Sequence, residues 1–270
     1  MSENAWSPDD VPLDKPNPAR MYDYYLGGYH NFAIDRAAAE QMIAAMPDTR
    51  LFMRAGRAFL RRAVTFLAEQ GIDQFLDLGS GIPTVGNVHE VAQGINPAAR
   101  IVYVDIEPIA VRHIEAILQG NPYARVIQAD VRQPEVVLHH PQVRELLDFT
   151  RPIGVLLSLL IHFLTEDEEA LRVVHAYRDG VPSGSYLAMS HPSHEGVERM
   201  VTQRGEQVYA RTTTPMKTRS RADIEAFFSG LELVDPGLVL LPLWRPEGPD
   251  DILLDEPKRA LAFCGVGRKP

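Results

Sequence analysis

Three acidic residues stand at or near the carboxyl ends of three successive apolar segments. They are Asp77 in Phe75-Leu76-Asp77-Leu78, Asp105 after Ile101-Val102-Tyr103-Val104, and Asp130 after Gln128-Ala129. The first is followed closely by Gly79-Ser80-Gly81. Glycine lets backbone approach a ligand with no Cβ in the way. A helix beginning just beyond the turn offers free N–H groups to a carboxylate or phosphate. Two nucleoside ligands compete for such a turn. A dinucleotide site wants G-x-G-x-x-G; the third glycine belongs at position 84, which is Thr84, and Gly86 comes two residues late. Asp77, just before the turn, repels a pyrophosphate and suits an ammonium group. That favours S-adenosylmethionine, which has an amino-acid end, a sulfonium and no phosphate. Asp105 lies 24 residues after Gly81, near the spacing at which an acid holds ribose hydroxyls, and serves either nucleoside. Asp130 is a candidate acceptor for an adenine amino group.

These residues need a frame that brings strand ends together. From residue 72 the chain alternates strand and helix patterns. Strands are expected at 74–78, 100–104, 125–129, 153–160 and 185–190, with helices at about 84–93 and 108–118 between them. Thr165 and Glu168 have the spacing of a capping box for a further helix. Two last strands, about 232–244 and 260–266, suggest an antiparallel hairpin at the sheet edge. The order implies a mostly parallel sheet with right-handed crossovers, and in open α/β sheets ligands bind at the carboxyl ends of the strands. Ahead of this domain, residues 1–71 read as a Pro-rich arm and a helical cap, with helices at about 19–26, 33–45 and from Asp48 to Gly71. Asn17 is the expected cap of the first of them, with Pro18 in its first turn. Residues 191–220 interrupt the alternation with a helix at about 195–208 and read as a second cap insertion within 72–270.

The wording of the chain is narrower than the spacing. Asn17-Pro18-Ala19-Arg20-Met21-Tyr22-Asp23-Tyr24-Tyr25-Leu26-Gly27-Gly28, Asp77-Leu78-Gly79-Ser80-Gly81-Ile82-Pro83-Thr84, Asn87-Val88-His89-Glu90-Val91-Ala92 and Gly265-Val266-Gly267-Arg268-Lys269-Pro270 resemble a bacterial family of S-adenosylmethionine-dependent methyltransferases long carried as a domain of unknown function. The resemblance spans about residues 15–270. It implies a Rossmann-like class I methyltransferase fold, with a mostly parallel seven-stranded sheet and an antiparallel last strand. It implies S-adenosyl-L-methionine as cofactor and assigns no acceptor. Carried onto this sequence, Gly79, Ser80 and Gly81 would lie against the methionine part and Asp77 would position its amino end. Asp105 would bind the ribose with Ile106 beside the adenine, Asp130 and Val131 would flank the adenine edge, and Ser158 would face the transferred methyl. Arg20, Tyr22, Tyr25 and Asn31 would close over the site as lid or substrate contacts.

The remaining candidates are titratable. His162 and His191 follow strands whose ends face the site and are the candidate general bases. His191-x-x-His194-Glu195 matches neither common zinc-helix spacing, and Pro192 delays any helix, so no metal is expected. The formal net charge is −9, from 27 Lys+Arg against 36 Asp+Glu. That balance argues against nucleic acid as acceptor, because such binding needs cations to replace phosphate counterions. The expected partner is a small molecule. No apolar run approaches the roughly 20 residues of a membrane span, the start lacks a secretory pattern, and the single cysteine, Cys264, suits a reducing cytoplasm. The rival readings are an NAD-dependent oxidoreductase, weakened by Thr84, and a non-catalytic S-adenosylmethionine-binding sensor or partner subunit.

Overall fold

The computed structural model describes residues 14–83, 86–196 and 199–270. Residues 1–13 of the expected arm and residues 84–85 lie outside the described residues, and the helix expected at about 84–93 begins only at Val88, behind an extended Asn87. Asn17 caps the first helix: its side-chain oxygen accepts from the Ala19 N–H at 2.8 Å and the Arg20 N–H at 3.3 Å. Pro18, which has no N–H to lose, opens α1 (Pro18–Tyr25). The cap continues as α2 (Ala33–Ala45) and α3 (Thr49–Glu69). Gly71, at φ +86°, turns the chain out of α3 toward the first strand.

The alternation follows as β1 (Gln74–Leu78), α4 (Val88–Ile95), β2 (Arg100–Asp105), α5 (Pro108–Ile117), β3 (Ala124–Gln128), α6 (Pro134–Leu138), α7 (Pro141–Leu146), β4 (Gly154–Ser158), α8 (Asp167–Asp179) and β5 (Tyr186–Pro192). After these come α9 (Arg199–Tyr209), α10 (Arg221–Ala226), β6 (Glu232–Leu233), β7 (Val239–Leu240) and β8 (Ala262–Arg268). One sheet runs β3-β2-β1-β4-β5-β8-β6, with β7 also paired to β8. β1 to β5 are parallel, and β8 is antiparallel to its neighbours.

Two local expectations change, and one stands. The strand expected over 232–244 is two short pieces, so eight strands form where seven were expected. Pro236 has no N–H for a ladder, and Gly237 bends back at φ +83° with its N–H on the Val234 carbonyl at 2.7 Å. The expected antiparallel hairpin at the sheet edge is present: β8 lies beside β5 and pairs on its other side with β6 and β7, which form the edge. The Thr165–Glu168 box does not form. α8 starts at Asp167 without a side-chain cap, and Arg219 holds the Leu164 carbonyl just before it at 2.7 Å.

Alternation along the strands sorts their side chains between two cores. Phe75, Ile101, Leu156 and Ala188 face a cluster with Phe59, Ala63, Val64 and Leu67 of α3. Leu76, Val102, Val155 and Leu187 face the other cluster, with Val173 and Tyr177 of α8. Asp77 shares the face of Phe75 and so points toward α3 at the strand end. Arg62 ties α3 to the 241–244 turn: its buried guanidinium donates to the Trp244 and Leu241 carbonyls, each at 2.8 Å. No described helix is long and apolar enough to cross a membrane.

Candidate active site

The turn after β1 is held by β2. Gly79 and Ser80 donate their N–H groups to the Val104 carbonyl at 2.8 and 3.2 Å. Gly79 and Gly81 both sit at φ +67°, a region costly for residues with a Cβ. A Cβ on Gly79 would lie 2.3 Å from Leu160 Cδ1, whereas one on Gly81 would meet open space. The Gly81 N–H donates to Asp105 Oδ2 at 2.7 Å, and the Glu107 N–H to Oδ1 at 2.8 Å. The Ile106 N–H also faces this carboxyl, so Asp105 fixes the glycine turn and the loop after β2 and keeps part of its roughly four acceptor positions. Burial raises its pKa.

Above these strand ends lies a cavity of about 740 Å³, within the usual range for small-molecule sites. Its floor is the ends of β1 to β4. Its roof is α1, α2, α3, α9 and the segment 213–216. α2 and α9 meet closely: Met42 and Met46 pack against Gly205, where a Cβ would approach them to 3.0 and 3.1 Å. Asp77 lines the cavity and is 4% exposed. Among the described residues no group hydrogen-bonds its carboxyl. Burial pushes its pKa up to about 7, with Asp105 adding to the rise and Arg57 opposing it. Arg57 of α3 also lines the cavity and donates to the Gly86 carbonyl at 3.1 Å.

All nine residues expected to touch cofactor line this cavity, as do Arg20, Tyr22 and His162. Asp130 is shared: the Arg132 guanidinium donates to both its oxygens and holds its pKa below the ordinary value. Ser158 Oγ sits 3.2 Å from Ser190 Oγ. The next residue, Leu159, adopts φ +49°, a left-handed conformation unusual for a leucine, and its side chain fills the space over Gly56 of α3. Arg20 ties α1 down, pairing with Asp35 at 2.9 Å and reaching within 3.8 Å of Glu107.

His191, Tyr25 and Asn31 do not line the cavity. His191 is the penultimate residue of β5 and fully buried. Its Nδ1 lies 2.7 Å from the Pro192 carbonyl and its Nε2 2.9 Å from Arg219 Nη1. An arginine can only donate, so Nε2 accepts and Nδ1 carries the proton. Burial, then Arg219, push the pKa of His191 down to about 3. It is a neutral strut with both nitrogens used. Tyr25 is buried in the core of the helical cap. Asn31 closes the 28–31 turn, donating to Asp23 at 2.8 Å and the Gly28 carbonyl at 3.0 Å. His194 Nδ1 sits 3.5 Å from Thr218 Oγ1, and Glu195 accepts from the Arg221 N–H at 2.7 Å. Among the described residues no three His, Cys, Asp or Glu side chains form a metal cluster.

Sequence reasoning passed over Arg57, Met42, Met46, Met53, Phe163 and Tyr209, which all line the cavity. The methionines and aromatics read as ordinary core positions on helices. Arg57 is one of several arginines on α3, and nothing in the spacing separates it from the others.

A Rossmann-like sheet with an acid at the end of each of three adjacent strands, the first followed by a glycine turn and carrying a carboxyl fit for an ammonium group, is the frame of a class I methyltransferase. The chain matches the S-adenosyl methyltransferase family over residues 4–270 and belongs to it. It is thus an S-adenosylmethionine-dependent methyltransferase, and the nicotinamide reading is set aside. A candidate methyltransferase from Thermobifida fusca YX is 42% identical, with 98% of this chain and 99% of that one covered at a TM-score of 0.90. A DUF574 family protein from Streptomyces avermitilis MA-4680 is 37% identical, covering 95% and 98% at a TM-score of 0.88. Human N-acetylserotonin methyltransferase, solved with S-adenosylmethionine, shares the fold at 14% identity and a TM-score of 0.50, covering 94% of this chain and 63% of that one. No curated protein matches the chain.

Proposed function

We propose that the strand-end half of the cavity holds S-adenosylmethionine and that the chain methylates a small molecule enclosed beneath the helical roof. The observation that carries this is the Asp77 carboxyl, buried in the cavity wall without a hydrogen-bond partner among the described residues. A buried carboxyl in that state calls for a cation. The cofactor's amino-acid end has one, and Arg57 beside it suits the accompanying carboxylate. The residues fit the rest of the group as well. Asp105 keeps acceptor capacity for a ribose hydroxyl, Gly81 leaves open space against the cavity, and Ile106, at 56% exposed, supplies an apolar edge for adenine. Val131 and Asp130 flank the same edge, the latter sharing its charge with Arg132.

When bound, the cofactor supplies a methyl group activated by its sulfonium. The protein's part is then orientation and exclusion of water. His162 stays neutral, its pKa held well below the ordinary value by burial and by His191 and Arg219. It is therefore a hydrogen-bonding group toward the acceptor and a weak base. The described parts of the two additions to the sheet, residues 14–71 and those of 191–220, act as one roof, joined where Met42 and Met46 meet Gly205. That roof and the net charge of −9 support a small acceptor over a nucleic acid, and the lone buried Cys264 fits a cytoplasmic setting.

The test is a thermal-shift titration with S-adenosylhomocysteine and with NAD. S-adenosylhomocysteine stabilises the wild type and NAD does not. Asp105→Ala removes a charged hydrogen bond to ligand, about 1.5–3 kcal/mol or roughly ten- to a hundredfold in affinity, and sharply reduces the shift while the protein stays folded. Stabilisation by NAD alone, or an unchanged shift in the variant, rejects the assignment.

A further inference from the structure

The charged groups of the cavity wall are unevenly spread. They lie on the strand ends and the loops that follow them, on α1, on Arg57 of α3 and on Glu169 of α8. Among the described residues, the part roofed by α2, α9 and the 213–216 segment has none. Its wall carries Met42, Met46, Met53 and Met216, four of the eight methionines of the chain. Beside them stand Phe163 and Tyr209, with ring centroids 6.0 Å apart. Tyr22 and Tyr209 are neutral phenols, their pKa values pushed up to about 12 by burial. A charged ligand there would be desolvated without a counter-charge. Thioethers and aromatic rings adapt instead to flat apolar surfaces.

One polar side chain in this wall has unmet bonding. His162 sits on the short 3-10 turn after β4, is 6% exposed, and lines the cavity. Its backbone carbonyl is used by the Lys217 N–H at 2.8 Å. Neither ring nitrogen has a hydrogen-bond partner among the described residues, and Nδ1 is sealed from solvent, which leaves Nε2 as the nitrogen open to the cavity. The ring is braced by Phe163 at 4.0 Å and by the fixed His191 at 6.0 Å between centroids. A ring nitrogen that no protein group bonds and that borders a cavity is a hydrogen-bonding position for a ligand.

We propose that the methyl acceptor is an uncharged molecule with an apolar, planar ring system, seated among these methionines and aromatics, with a hydroxyl held by His162. This deepens the proposed function and rests on the cofactor occupying the strand-end half. His162 acts as a positioning residue: it selects the hydroxyl and fixes the ring that carries it.

The test uses the full chain saturated with S-adenosylhomocysteine and four probes in equilibrium dialysis: 2-naphthol, naphthalene, 6-hydroxy-2-naphthoate and 2-(aminomethyl)naphthalene. The naphthol binds, and the two charged probes bind at least about thirtyfold more weakly, as expected for an uncompensated buried charge. Met42→Glu lowers naphthol affinity by a similar factor and keeps S-adenosylhomocysteine binding. His162→Phe erases the preference for 2-naphthol over naphthalene without changing S-adenosylhomocysteine affinity, and His162→Gln, which keeps a hydrogen-bonding group, retains that preference. A protein that binds S-adenosylhomocysteine yet ignores the naphthol, or takes a charged probe equally well, overturns the acceptor class. An unchanged preference in His162→Phe overturns the role of His162. A wild-type chain that fails to bind S-adenosylhomocysteine overturns the cofactor reading and this inference with it.

Discussion

Replacing Asp77 by asparagine separates the stability of this protein from its cofactor affinity. The folded carboxyl has a pKa of about 7, raised by burial from an ordinary value of 3.8. Between those values the folded state keeps a proton that the unfolded chain releases, so the group favours the folded state fully below about pH 4. That contribution is lost as pH rises, and the loss is complete above about pH 7. At about 1.4 kcal/mol per pH unit the span amounts to about 4 kcal/mol, an upper bound. The asparagine amide cannot ionise and lacks this dependence. The assay is urea denaturation of wild type and Asp77→Asn at pH 5, 6, 7 and 8. Relative to wild type, the variant gains about 2–3 kcal/mol between pH 5 and 7, and the difference levels off above pH 8. Cofactor affinity runs the other way. Wild-type affinity for S-adenosylhomocysteine rises with pH to a plateau above 7 as Asp77 ionises. Asp77→Asn is pH-independent over that range and about ten- to a hundredfold weaker, the worth of one charged hydrogen bond. Parallel stability curves from pH 5 to 8, or equal ligand affinity in the variant, would contradict this account of Asp77.

Arg57→Met removes the cation that lowers the Asp77 pKa, so the plateau in S-adenosylhomocysteine affinity moves to higher pH in an isothermal titration series. Gly79→Ala puts a methyl 2.3 Å from Leu160 at a left-handed φ and lowers stability by about 2–4 kcal/mol. Gly81→Ala meets no neighbour and costs about 1–2 kcal/mol, which comparative denaturation resolves. Arg62→Met strands the Leu241 and Trp244 carbonyls and lowers stability by about 2–4 kcal/mol, while S-adenosylhomocysteine affinity is unchanged.

Much of the frame is legible in the sequence because it is local. Asn17-Pro18 announces the first helix through a cap that needs only its own neighbours. The helix from Asp48 to Gly71 follows from an apolar face and a stop residue. The strand ends carrying Asp77 and Asp105 follow from short apolar runs with punctuation. Elsewhere a distant partner decides the outcome. Thr165 and Glu168 have the right spacing for a capping box, but the helix starts at Asp167 with no side-chain cap, and Arg219, more than fifty residues on, holds the segment before it through the Leu164 carbonyl. The strand expected over 232–244 breaks at Pro236-Gly237, a local cue that the apolar residues around it hide. His162 and His191 look alike in sequence, each near a strand end. Arg219 engages His191, whereas the His162 ring has no hydrogen-bond partner among the described residues.

The cofactor class is written in the chain itself. The requirement for an acid before a glycine turn, and for a second acid one strand later, is a matter of residue type and spacing. What encloses the acceptor emerges only on folding. Met42 meets Gly205 across more than 160 residues, and Arg57 faces Asp77 because α3 lies on the face of β1 that alternation gives to Phe75 and Asp77. Such contacts arise when helices pack on a sheet, a long-range consequence of burying apolar faces, and no period or motif within one segment encodes which distant side chain will lie opposite.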